Sequence, residues 1–143
     1  MRRRARRSGQ VLVEMLLILP VFLGIVFTIM EIGYVSFRLI VLNHATFEAA
    51  RVGGMTYLPS QSTVQASRVM QEMLQNATVD CAAVPTLIDQ QEGQMNHDLV
   101  CTGSESVPLI FPISRIILAK PAGSGKRTLF ATVRMPIERP LTQ

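Results

Sequence analysis

Histidine and cysteine are scarce in this chain: 143 residues include two of each, His44, His97, Cys81 and Cys101. With Asp80, Asp89, Glu92 and Asp98 scattered through loop-like sequence, no set of nucleophile, base and orienting group can be assigned, so an enzyme is not expected. No CxxC or HxxxH unit anchors a zinc site, so His97, Cys81 and Cys101 give no metal centre, and no cofactor is expected. A phosphate-binding loop is missing as well. Gly123-Ser124-Gly125-Lys126 lacks the first glycine of that motif, where Lys120 stands, and has Arg127 where a magnesium-binding Ser or Thr belongs. A hairpin turn is the expected reading.

A basic surface is also lacking, despite the formal net charge of +4. Five of the fourteen Lys and Arg residues are Arg2, Arg3, Arg4, Arg6 and Arg7; without them nine basic residues stand against ten acidic ones. That balance argues against a nucleic-acid partner and makes the arginine cluster a membrane-topology signal.

What the chain does have is a long apolar run. Residues 11–30, VLVEMLLILPVFLGIVFTIM, carry one charge, Glu14, and as a helix cover about 30 Å, the thickness of a hydrocarbon core. Fourteen of them are Val, Leu, Ile or Phe. Together these favour insertion by about 4–8 kcal/mol, against about 3 kcal/mol opposing it for one central carboxylate. The arginines precede the run and no basic residue follows until Arg38, which orients the N-terminus to the cytoplasm and exports the rest. A secretory signal peptide would have a shorter run ending in small residues, whereas this one ends Thr28-Ile29-Met30-Glu31. Retention in the bilayer is expected.

Glu14 needs an explanation, because an ionisable group in a spanning helix is costly without a partner or a role. A cut after Gly9 would make it residue five of the shortened chain and place a new α-amino group at Gln10, one helical turn away. Pairing with that amine, or with the amine of a neighbouring copy, would offset the desolvation of both. The alternative is a carboxylate that reaches water at the headgroup boundary. Pro20 withholds the amide that would bond Leu16, so a kink or a locally melted turn is expected there.

The stretch Ser8-Gly9-Gln10-Val11-Leu12-Val13-Glu14 resembles the leader and cleavage site of type IV prepilins. Together with Leu19-Pro20, Glu31-x-Gly33, Leu42-Asn43-His44-Ala45 and Glu48-Ala49-Ala50-Arg51, the first third of the chain is similar to TadE-like (TadE or TadF) minor pseudopilins of the tight-adherence (Tad/Flp) pilus. The resemblance implies cleavage between Gly9 and Gln10 by a prepilin peptidase, an aspartic membrane protease that requires glycine before the scissile bond. It also implies a role in pilus assembly, surface adhesion and secretion. The implied partners are other pilins and pseudopilins and the inner-membrane Tad assembly platform, with the lipid bilayer as host. An uncleaved single-pass anchor carrying a periplasmic binding domain is the alternative.

Beyond the run, Tyr34, Phe37, Val41, Ala45, Glu48 and Val52 recur at helical spacing, so one helix of about 60–65 Å should continue to about Val52 and stop at Gly53-Gly54, its outer half offering these residues as an apolar stripe for a small domain. A second helix is expected over 63–76, with Val64, Met70, Met73, Leu74 and Ala77 on one face and Ser62 and Gln65 as a capping box. Short β-prone runs follow at 78–83, 98–102, 114–119 and 128–135. The ending VRMPIERPLTQ resembles the final strand and tail of TadE-like proteins more weakly. The expected class is α+β: a basic leader at 1–9, a transmembrane and extended helix at 10–55, and a small periplasmic domain at 56–143 with a second helix and a short antiparallel sheet. In an oxidising periplasm Cys81 and Cys101 are expected to form a disulfide, the alternative being two buried thiols.

Overall fold

The computed structural model describes residues 2–55, 59–89, 94–121 and 123–137. Its first element, α1 (Arg2–Gly54), is 53 residues long, about 80 Å at the helical rise. Apolar side chains at 11–30 are largely exposed, as expected of a segment whose solvent is lipid. From Glu31 onward the same helix acquires a buried face and becomes the backbone of a small head.

The head adds α2 (Pro59–Met73), β1 (Ala77–Asp89), β2 (Gln94–Pro108), α3 (Pro112–Ile117) and β3 (Lys126–Pro136). The strands form an antiparallel sheet in the order β1-β2-β3. One face of the sheet carries α1, over β2 and β3, and α2, over β1. The other face carries Thr78, Ser104, Thr102 and Thr132, which meet across the strands, with Phe130 and Val84 exposed among polar neighbours. Period-two alternation is what an antiparallel sheet covered on one side requires.

The core is built from small residues. Leu42, Ala45 and Ala49 of α1 meet Ala66 and Met70 of α2 and Val107, Leu129 and Ala131 of the sheet. Alanines let backbones approach closely, and the approach is tightest at Gly103. A Cβ there would lie 2.2 Å from Thr46 Oγ1 and 3.1 Å from Met70 Cε. Gly103→Ala is therefore expected to cost about 1–3 kcal/mol as an overpacking substitution. Thr46→Ala in the same chain should recover most of this, because it removes the clashing hydroxyl, whose bond to the Leu42 carbonyl the helix does not need. Amide hydrogen exchange in β2 measures both effects.

Cys81 and Cys101 stand directly opposite in the β1–β2 register, Cα atoms 4.1 Å apart, and are joined by a disulfide. Closing a loop of 20 residues stabilises the fold by about 3 kcal/mol in the chain-entropy model.

Several expectations are corrected. Residues 114–119 were expected to be β-prone, but 112–117 form α3: Pro112 sits at the first helical position, where its missing amide is harmless. The Gly123–Gly125 turn joins α3 to β3 and so is not a strand hairpin; both glycines have positive φ, 82° and 64°. The second helix starts at Pro59, so Ser62 lies inside it, buried, and does not cap it. Its inward face is Ser62, Ala66 and Met70, while Val64 and Met73 are exposed and Leu74 and Ala77 are buried beyond its end. On α1 the buried face is Glu31, Leu42, Ala45, Thr46, Ala49 and Ala50, with Val35 and Arg38 partly covered. Tyr34 and Phe37 point outward. The expected stripe was rotated because apolar spacing favoured two aromatics over a face that carries two charges. Residues 138–143 and Glu92 lie outside the described residues.

Candidate processing and membrane segment

Gly9 and Gln10 lie in the second and third turns of α1, both exposed, with nothing within 4 Å of a Cβ built on Gly9. Gln10 Nε2 donates to Glu14 Oε1 at 3.2 Å, an i to i+4 bond on the exposed surface of the helix. Glu14 is thereby held toward Gln10, the residue where a new amine would appear after a cut. The helix continues without a melted turn through Pro20, whose side chain is exposed. Cys81 and Cys101 are far from this segment in sequence and belong to the head.

Two charged residues of α1 were not singled out by function in the sequence, and the structure gives both a partner in the head. Glu31, 1% exposed, accepts from the backbone N–H groups of Ile110, at 3.1 and 3.2 Å, and Phe111, at 3.0 Å. The Ser114 hydroxyl lies 3.1 Å from Glu31 Oε2 and 2.7 Å from the Phe111 carbonyl and shares its proton between them. Arg38 forms an ion pair with Glu105 of β2, a carboxylate 2% exposed on the covered face of the sheet. The available signal was their seven-residue spacing, two helical turns, which puts both on one face of α1.

Four further contacts tie the loop around α3 to its neighbours. Arg115 Nε donates to the Leu109 carbonyl at 2.9 Å and Arg127 Nη1 to the Leu118 carbonyl at 3.3 Å. The Phe111 ring stacks on Phe27 of α1 with centroids 4.8 Å apart. Ile113 Cδ1 lies 3.1 Å from the position a Cβ would take on Gly24. Among the described residues no cluster of potential metal ligands occurs.

Among the described residues, one helix is long and apolar enough to cross a membrane and continues into a small disulfide-linked α+β head, an arrangement that points to membrane anchoring. The N-terminal segment is TadE-like: residues 9–51 match the family model described as TadE, TadE-like protein. The match covers 43 of the 143 residues and lies within α1. No curated protein and no solved structure matches the chain.

Proposed function

We propose that this chain is a minor pseudopilin of a Tad pilus machine, inserted with its arginine-rich end in the cytoplasm and cut between Gly9 and Gln10 by a prepilin peptidase. The observation that carries this reading is the TadE-like match beginning at Gly9, the residue before the proposed cut, and running along the apolar helix. Glu14 then has a function. Its bond to Gln10 holds a carboxylate beside the site of the new α-amino group, ready to pair with it or with that of a neighbouring subunit as helices come into register. Pro20 bends the helix within the bilayer, where subunits pack. The head faces the periplasm and contacts other pilins, pseudopilins and the inner-membrane assembly platform.

The segment around Gly9 is helical, so a protease that binds its substrate extended must unwind about two turns of α1. Glycine at this position lowers that cost, through its weak helix propensity, and allows close approach of the protease. The test is intact mass and N-terminal sequencing after co-expression with the peptidase. A start at Gln10 is expected, lost with Gly9→Ala or an inactive peptidase. A full-length chain under active peptidase would establish the uncleaved anchor instead.

A further inference from the structure

The loop around α3 stands out because it is apolar, exposed and placed low on α1. Ile110, Ile116 and Ile117 are 61%, 82% and 67% exposed, and Ile113 is 43% exposed. No other part of the head shows so many bulky aliphatic side chains together among the described residues. They adjoin the apolar surface of α1 directly, since Ile113 reaches Gly24 and Phe111 stacks on Phe27. An open apolar groove of about 560 Å³ runs between them, lined by Pro20, Gly24, Ile25 and Ile113.

The level of these contacts matters. The apolar run of α1 ends at Met30, and Gly24 is six residues earlier, about 9 Å down the helix axis. An element packed at Gly24 and Phe27 therefore lies below the outer edge of the segment that spans the bilayer. Irregular backbone is tolerated at such depth only where its polar groups are satisfied by the protein. Here they are supplied with partners: Glu31 takes the Ile110 and Phe111 N–H groups, Arg115 the Leu109 carbonyl and Arg127 the Leu118 carbonyl. The residues on and just after α3 are basic, Arg115, Lys120, Lys126 and Arg127, and the one carboxylate described against the loop, Glu31, is buried. Apolar tips below a basic collar fit an anionic phospholipid leaflet, at the depth of about 5–10 Å typical of interfacial elements.

We infer that α3 and its flanking loop form a second membrane contact, a knuckle inserted into the outer leaflet beside α1 with Ile110, Ile113, Ile116 and Ile117 against acyl chains. This rests on the reading of α1 as a membrane span. The knuckle fixes the head's tilt and height over the bilayer, which a single helix cannot do. It also sets what extraction into a filament must undo: the isoleucines would leave lipid together with α1.

The chain has no tryptophan, so single replacements report depth without background. Full-length chains carrying Ile116→Trp, Ile117→Trp, Leu17→Trp in the span, or exposed Gln61→Trp in α2 are reconstituted in phosphatidylcholine–phosphatidylglycerol vesicles with acyl chains brominated near the headgroup or near mid-chain. Ile116→Trp and Ile117→Trp should emit to the blue and be quenched most by the shallow bromines. Leu17→Trp should be quenched most by the deep ones, and Gln61→Trp by neither. Leu17→Trp quenched with both knuckle probes unquenched would overturn the knuckle, keep the span and leave the isoleucines to a protein neighbour. Leu17→Trp unquenched would overturn both readings.

Discussion

Replacing Arg38 by alanine is expected to destabilise the head by about 3–5 kcal/mol, the cost of leaving a buried carboxylate unpaired. Glu105 is 2% exposed and lies on the sheet face that α1 covers, so water cannot replace the guanidinium without opening the helix–sheet interface. Arg38 Nε and Glu105 Oε2 each lack a further hydrogen-bond partner among the described residues, so the pair itself is incompletely satisfied. The double replacement Arg38→Met with Glu105→Leu should therefore recover most of the loss, since an apolar pair of similar volume removes both desolvation penalties. Hydrogen exchange of the β2 and β3 amides, compared across the single and double variants, measures the coupling. Equal protection in Arg38→Ala and the native chain would show that the pair contributes nothing.

Glu31→Leu should release α3 from α1 while leaving the sheet intact. The substitution strips the acceptor from two backbone N–H groups, at about 1–3 kcal/mol each. Little else holds the six-residue helix against α1 beyond the Phe27–Phe111 stack and the Ile113 contact. In detergent, faster exchange of the Ile110 and Phe111 amides and rapid tryptic cleavage after Arg115 are the expected readouts, with unchanged exchange in β1. Glu31→Gln keeps one acceptor oxygen and should fall between. If α3 stays protected in Glu31→Leu, the carboxylate is not what docks it.

The two charges behave alike because both lie on the inward face of one helix and each meets a partner about 70 or 80 residues away in sequence. Their spacing is visible in the chain, but their partners are not. Helical spacing chose Tyr34 and Phe37 as inward residues because bulky apolar side chains are the usual occupants of a core. The head is thin, and its core uses alanine where larger side chains would keep the helices off the sheet, so the aromatics were left outside. The error at 114–119 has a similar origin. Ser-Arg-Ile-Ile-Leu-Ala favours a strand by composition, but with Pro112 ahead of it and Glu31 to receive its leading amides, a short helix results.

The sequence alone determined the apolar span, the arginines before it, the helix that runs on to Gly54, the α+β class and the TadE-like character of the first third, because each is written in local composition or contiguous spacing. Only the tertiary structure decided which face of α1 is buried, that Cys81 and Cys101 stand opposite each other, and that α3 is carried down beside Gly24 and Phe27. Those outcomes depend on long-range pairings between groups with complementary hydrogen-bonding needs. A carboxylate shows what it lacks, but the chain must fold before the groups that satisfy it are brought within reach.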